Sequence, residues 1–241
     1  MNKLAHIKIL QDALGDGGTL SPKALEWITS ANLASDLDQI SSERHFDNID
    51  TCQKLCKMWQ KGLNAYMEKA LALSAPRHGP SIQPKNRKAA LSAFGQASHA
   101  LADFYAHSNW LELHLASGES EKLAPLFGPE CKAEDFPDGL QSGYFNIVYG
   151  LKGCPQKDGL FQPPDGFKHC HETLNKDHPD KGHGAELSTA GGPSYHELAM
   201  HLAVLATRKL WETLHQRLID RYGADNGEKL FLALAWGGDP A

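Results

Sequence analysis

The sequence predicts an all-α protein. Apolar side chains recur every four positions over long stretches, and helix-capping patterns mark where two of these stretches begin. The composition, with 41% hydrophobic and 22% charged residues, is ordinary for a globular protein. With 241 residues, no internal repeat and no clear linker, we expect a single α-helical domain over residues 1–241.

Two helices are predicted in the first third of the chain. Ser21 is a suitable N-cap and Pro22 suits the first helical position, so a helix should begin there. A long amphipathic helix should follow, because apolar residues recur at the helical repeat. These residues are Leu55, Trp59, Leu63, Met67 and Leu71.

Three more helices and one long irregular region complete the predicted fold. A third helix should cover about residues 86–116. Residues 117–192 are rich in Gly, Pro, Asp and Lys and are predicted to form a long irregular region, with room for a short hairpin. Ser194 and Glu197 form a capping box that opens the next helix, which should end at Gly223. A last short helix should cover residues 227–236.

Charge, hydropathy and cysteine usage exclude several classes of protein. The net charge of −5 and the lack of a basic run argue against binding of duplex DNA. No apolar run is long enough to span a membrane, and the first residues do not form a signal-peptide core, so a cytoplasmic protein is expected. The five cysteines are odd in number and scattered, so no disulfide framework is expected. Cys52 and Cys56, one helical turn apart, could chelate a metal, although core packing is favoured.

The unusual feature is histidine, with 13 residues against 9 Phe and 6 Tyr. Three ligand-type side chains, His99, Asp103 and His107, follow one another at four-residue spacing in the third helix. Each step of four advances about 40° around an α-helix, so all three side chains should share one face. Such a set could bind one ion, or its central carboxylate could bridge two ions, and histidine with carboxylate suits zinc.

The string "HALADFYAHSNWLEL" around this face resembles the HET-C type of heterokaryon-incompatibility proteins. These proteins are related to the zinc-dependent phospholipase C and single-strand-specific zinc nuclease fold. The resemblance implies an all-helical domain of that type, interrupted by the long irregular region 117–192. It also implies a metal cleft with one to three zinc ions.

The resemblance also implies a set of metal ligands and an activity. Asp36, with Asp38 as its rival for the metal-ligand position, would also orient the attacking water or accept its proton as the catalytic residue, and Asp103 would bridge two ions. The activity would be zinc-dependent hydrolysis of a phosphodiester or phospholipid substrate. The alternative is a non-catalytic metal-binding recognition protein of the incompatibility type. The implied metal ligands are His6, Asp36, His45, His99, Asp103, His107, Asp177 and His196.

Two further patterns leave alternatives open. His45 and Asp47 could instead form a capping cluster before the long helix. His169 and His171 could present both rings on one face of an extended strand, but no third partner for this pair is evident from the sequence.

Overall fold

The structure, a computed structural model, describes residues 1–15, 18–38, 41–76 and 83–237, and most of them are helical. The all-α prediction is therefore confirmed. Among the described residues, no helix is long and apolar enough to cross a membrane. The helices are α1 (Lys3–Leu10), α2 (Pro22–Ser35), α3 (Ser42–His45), α4 (Cys52–Trp59), α5 (Ala65–Leu73), α6 (Arg87–His107), α7 (Trp110–Leu115), α8 (His171–Leu174), α9 (Tyr195–Tyr222) and α10 (Ala224–Trp236).

The predicted caps are in place at α2 and α9. The Ser21 side chain accepts a hydrogen bond from the amide of Ala24 at 3.3 Å. At α9, the amide of Glu197 donates to the Ser194 hydroxyl at 3.2 Å, and the Glu197 carboxylate accepts from the Ser194 amide at 2.8 Å. Gly223, with φ of 82°, ends α9 in a conformation that favours glycine. These local signals fixed both helix starts because each satisfies backbone groups that a helix end leaves open.

The long amphipathic helix is interrupted by one wide turn. Residues Gln60–Asn64 form a π-helical turn between α4 and α5. All five apolar residues that predicted this helix are nevertheless buried. The backbone of α3 lies against the turn, since a Cβ atom on Gly62 would be 2.4 Å from the carbonyl oxygen of Glu43. The apolar period therefore predicted the buried face but not the local irregularity.

Helix α6 forms the centre of the molecule. Every residue from 97 to 107 is buried, and the helix packs against α2, α5 and α9. Contact with α2 is close at Gly95, where a Cβ atom would be 2.3 Å from the carbonyl oxygen of Ile28. Phe94 packs edge-on against Trp211 of α9, with ring centroids 5.0 Å apart. The histidine-aspartate face therefore lies on the most buried helix.

The predicted helix over 86–116 is wrong in its continuity. Ser108 leaves the helix with φ −98° and ψ 162°, and α7 starts two residues later. The Asn109 side chain accepts from the amide of Gln141 at 2.7 Å and donates to the carbonyl of Gly139 at 3.0 Å. The break lets part of the irregular region pack against the end of α6, a tertiary effect that helical periodicity does not reveal.

The region 117–192 contains only short elements. They are 3₁₀ turns at Ala133–Asp135, Ile147–Lys152 and His183–Ala185, helix α8, and an antiparallel hairpin of β1 (Gln156–Lys157) and β2 (Leu160–Phe161). The hairpin agrees with the sequence-based expectation of room for one.

Two disulfides stabilise this part of the chain, so the expectation of no disulfide framework is wrong. Cys56 of α4 is bonded to Cys131, and Cys154 is bonded to Cys170. The partners are 75 and 16 residues apart in sequence, so only the tertiary fold brings them together. Cys52 carries a free thiol.

Candidate metal centre

The predicted face of α6 becomes the floor of a buried polar cluster. His99, Asp103 and His107 are 0%, 1% and 4% exposed. Neighbouring elements add their own ligand-type side chains: α1 supplies His6, and α3 ends at His45. Burial of so many ionisable groups is costly unless they are paired or bind a metal.

The first group consists of His6, Asp36, His99 and Asp103, whose ligand atoms all lie within 4.8 Å of one another. Asp103 is at its centre. Its Oδ1 is 3.2 Å from Nε2 of His6, and its Oδ2 is 3.2 Å from Nε2 of His99. Asp36, at the C-terminal end of α2, places Oδ1 3.7 Å from Nε2 of His99. The two oxygens of Asp103 thus face different histidines.

His45 adjoins the first group from α3. Its Nδ1 is 2.9 Å from Oδ2 of Asp103 and 3.3 Å from Nε2 of His99. Its Nε2 is 3.0 Å from the carbonyl oxygen of Asp38. A backbone carbonyl on one ring nitrogen holds the other nitrogen toward the centre, an arrangement common around metal ligands.

Three ring nitrogens in the first group have no hydrogen-bond partner although they are buried. They are both ring nitrogens of His6 and Nδ1 of His99. For Nε2 of His6 the nearest oxygen, on Asp103, is within reach but not aligned for a hydrogen bond. Leaving a buried polar atom unpaired costs about 1–3 kcal/mol. A metal ion between His6 and Asp103 would remove that cost for Nε2 of His6.

The second group consists of Asp47, His107 and His171. Nδ1 of His171 is 2.8 Å from Oδ1 of Asp47, and Nδ1 of His107 is 3.5 Å from the same oxygen. Nδ1 of His107 also lies 3.1 Å from the carbonyl oxygen of His45, and the His107 and His171 rings are 4.4 Å apart. The implied ligand set omitted Asp47 and His171. Two signals were available in the sequence: Asp47 lies two residues after His45, and His171 belongs to the His169–His171 pair. The partners of His171 are Asp47 and His107, which are distant from it in the sequence.

The remaining predicted ligands have different positions. Asp177 lies beside the second group, with Oδ1 3.1 Å from Nε2 of His107. The amino group of Met1 contacts both Asp103 and Asp177. His196 belongs to neither group in the described part of the chain: its Nδ1 lies 2.6 Å from the carbonyl oxygen of Lys176. The structure therefore gathers seven of the eight predicted side chains and leaves His196 outside the cluster.

Burial and charge in the cluster favour an ionised Asp103 and a neutral His6, which are the forms that bind a metal, and a protonated His45. Burial alone raises the pKa of Asp103, but the Met1 amino group, His99 and His107 outweigh it and hold this pKa well below its usual range. Burial, and then the charge of the Met1 amino group, lowers the pKa of His6 to about 4. Burial lowers the pKa of His45 as well, but the hydrogen bond and charge of Asp103 outweigh it and raise that pKa to about 9.

A cavity of about 500 Å³ opens beside the two groups. Its lining includes Asp36, His45 and Asp103, and also Asp47, His107, His171 and Asp177. Lys3, Phe145, His178 and Lys181 complete part of its wall. Both groups are therefore reached from one cleft.

The comparisons with known proteins identify the family. The model of the VWA7 N-terminal domain matches residues 18–142, just over half of the 241 residues. The chain belongs to the VWA7 N-terminal domain family. The matched range of this VWA7 N-terminal domain contains Asp36, His45 and Asp47 together with the ligand face of α6. His6, His171 and Asp177 lie outside the matched range.

One curated relative is similar over most of this chain. Human von Willebrand factor A domain-containing protein 7 is 30% identical over 224 residues, covering 82% of this chain. The chain spans only 22% of that protein's length. No solved structure gives a significant match.

Membership of the VWA7 N-terminal domain family corrects three predictions. The HET-C resemblance, the heterokaryon-incompatibility role and the zinc-dependent phosphodiester hydrolase are wrong, because the family and the human relative point elsewhere. The error has a physical origin. A helix carrying His, Asp and His at four-residue spacing is a general way to present metal ligands, and it specifies neither a family nor a reaction. Asp36 remains a candidate metal ligand in the first group.

Proposed function

We propose that this chain is a zinc-binding domain that holds two zinc ions, one at the first group and one at the second. The observation that carries the proposal is the buried contact of His6, His99 and Asp103. There, both ring nitrogens of His6 and Nδ1 of His99 lack hydrogen-bond partners, and the positive charges around Asp103 keep its carboxyl group ionised against the effect of burial. A zinc ion accepts nitrogen and carboxylate oxygen together, so it fits this donor set.

The spacing of the donors supports a tetrahedral ion at the first group. Two ligand atoms about 2.0–2.1 Å from a tetrahedral zinc ion lie about 3.3 Å apart. Nε2 of His99 is 3.2 Å from Oδ2 of Asp103 and 3.3 Å from Nδ1 of His45, and the latter two atoms are 2.9 Å apart. His6, whose Nε2 is 3.2 Å from Oδ1 of Asp103, and Asp36, whose Oδ1 is 3.7 Å from Nε2 of His99, supply the other donors of this site.

At the first group, the arrangement favours a structural role for zinc. A full set of protein ligands is typical of structural sites, and the side chains of His6, His45, His99 and Asp103 are at most 6% exposed. The ligands come from separate parts of the chain: α1, the end of α2, α3, α6 and the segment around α8. Zinc would therefore link these separate segments and would stabilise the folded state by mass action.

We also propose, at the level of fold alone, that the helices follow the zinc-dependent phospholipase C and nuclease type. Support comes from one central helix that carries His99, Asp103 and His107 while α1 contributes His6. A shared fold carries no activity with it.

The metal content of the full chain tests the zinc proposal. We expect two zinc ions per chain, measured by elemental mass spectrometry after purification without chelators. Asp103→Asn keeps the shape of the side chain but removes its charge, so it should lose at least one ion. The matched control is Asp225→Asn, an exposed carboxylate on α10 that pairs with Lys229 and should keep both ions.

A second variant keeps the test valid if Asp103→Asn does not fold. The side chain of Asp36 is 34% exposed, so Asp36→Asn should fold and still weaken zinc binding at the first group. Wild-type protein that contains no zinc and takes up none when zinc is added would overturn the proposal.

A further inference from the structure

The second group differs from the first in how one of its ligands is held. His107 belongs to α6, and Asp47 follows α3 by two residues. His171 instead comes from the long irregular region, at the first position of the four-residue helix α8. A side chain at the start of so short a helix depends on the chain around it for its position.

Backbone contacts hold one side of His171. Its amide donates to the carbonyl of Tyr144 at 2.8 Å, and the amide of Tyr144 donates to the carbonyl of His169 at 2.9 Å. The amide of Gly143 donates to the carbonyl of His107 at 3.1 Å, which connects this segment to the end of α6. The approach is close, since a Cβ atom on Gly143 would be 2.4 Å from Cα of His171.

A disulfide holds the other side. Cys170, the residue directly before His171, is bonded to Cys154, and both cysteines are buried. The backbone next to Cys154 is also held in position, because the amide of Asn146 donates to the carbonyl of Gly153 at 3.0 Å. The crosslink therefore joins the residue before His171 to the segment that carries Tyr144. It also closes the loop that contains the hairpin of β1 and β2, whose four strand residues are all exposed.

We propose that the Cys154–Cys170 disulfide is the positioning element of the second metal site, and that this site binds zinc tightly only when the disulfide is formed. The inference rests on the proposed zinc-binding function and adds a covalent requirement to one of its two sites. His171 is the residue through which the disulfide acts: without the crosslink, its ring would no longer be held beside Asp47 and His107.

The chain contains a matched control in its other disulfide. Cys56–Cys131 joins α4 to the irregular region, and neither cysteine belongs to or lines either metal group. Its removal perturbs the same irregular region and costs one crosslink, but it does not touch the segment before His171.

The test compares Cys154→Ser/Cys170→Ser with Cys56→Ser/Cys131→Ser by zinc titration of the full chain. Serine replaces both thiols so that no new sulfur ligand is created. We expect the first variant to keep one tight zinc ion and to bind the second at least tenfold more weakly. The control should bind both ions as the wild type does. Equal affinity for the second ion in all three proteins would overturn the proposal, while zinc binding by the wild type would leave the proposed function intact.

A metal-free measurement keeps the inference testable if the wild type binds no zinc. Hydrogen exchange of the peptide that contains His171 should be at least tenfold faster in Cys154→Ser/Cys170→Ser than in the wild type, because the amide of His171 loses its protection. The control variant should leave that peptide unchanged. Unchanged exchange in the first variant would show that the backbone contacts alone position His171, and the proposal would then be wrong.

Discussion

Oδ1 of Asp103 and Nε2 of His6 lie 3.2 Å apart in the interior, yet no hydrogen bond joins them. Both side chains are almost fully buried, and burial keeps the pKa of His6 low enough for a neutral ring at physiological pH. A neutral imidazole beside a buried carboxylate, with no hydrogen bond between them, is a poor arrangement for stability alone. It is a good arrangement for two ligands of one metal ion.

His6→Leu separates these two roles. Without zinc, we expect the variant to be as stable as the wild type or more stable by about 1–2 kcal/mol, because it removes a buried polar ring that lacks partners. With zinc, the order should reverse. Chemical denaturation with and without zinc measures both values, and His201→Leu, on the exposed surface, serves as the control. A variant that is less stable in both conditions by the same amount would contradict the account.

Removal of zinc should lower the melting temperature of the wild type. A ligand at a thousand times its Kd stabilises the folded state by about 4 kcal/mol, which corresponds to roughly 10 °C for a chain of this size. Thermal unfolding with zinc and with excess chelator measures the shift. Asp103→Asn should lose most of the shift and Asp225→Asn should keep it. An identical melting temperature for the wild type in both conditions would argue against a structural role.

Zinc binding should release protons near neutral pH. The pKa of His45 is raised from 6.5 to about 9 in the metal-free protein, so its ring is protonated at pH 7.5 and must lose that proton to bind zinc. The pKa of His6 is lowered to about 4, so His6 is already neutral and releases none. The apparent zinc affinity should therefore rise about tenfold per pH unit between pH 6.5 and 8 for each proton released.

Calorimetry in two buffers of different ionisation enthalpy counts these protons. We expect zinc binding to release at least one proton per chain in the wild type and about one fewer in His45→Gln. Binding enthalpies that are the same in both buffers would mean that no proton leaves, which contradicts the protonation state assigned to His45.

The Cys56–Cys131 disulfide should stabilise the fold without affecting the metal centre. It closes a loop of 75 residues, and the chain-entropy model gives about 4 kcal/mol for a crosslink of this length. Urea denaturation of Cys56→Ser/Cys131→Ser should show a loss of this order. Wild-type protein unfolded without reductant should expose one reactive thiol, from Cys52, whereas five reactive thiols would mean that neither disulfide forms. Because disulfides persist in oxidising compartments, one reactive thiol would argue against the predicted cytoplasmic location, and five would agree with it.

Much of the fold could be predicted from local signals. The caps at Ser21 and Ser194 satisfy backbone groups within a few residues, so the sequence alone locates both helix starts. The break after His107 could not be found this way, because it depends on contacts between Asn109 and residues more than 25 positions away. The disulfide partners were missed for the same reason.

The candidate site, too, could be predicted only where its residues lie close together in the sequence. The spacing of His99, Asp103 and His107 on one helix identified the floor of the centre directly, since helix geometry places all three on one face. Asp47 and His171 were missed as a pair because they are 124 residues apart and meet only in the folded chain. The HET-C resemblance was drawn from the sequence around the same three residues. Their spacing indicates how metal ligands are presented and does not identify a family.

The most direct test of the zinc centre is anomalous diffraction at the zinc absorption edge from crystals of the full chain grown with zinc. We predict one peak among His6, Asp36, His45, His99 and Asp103, and a second among Asp47, His107 and His171. A zinc-edge map with no peak at either group would contradict the central claim, and the buried histidine-aspartate cluster would then be a metal-free polar core.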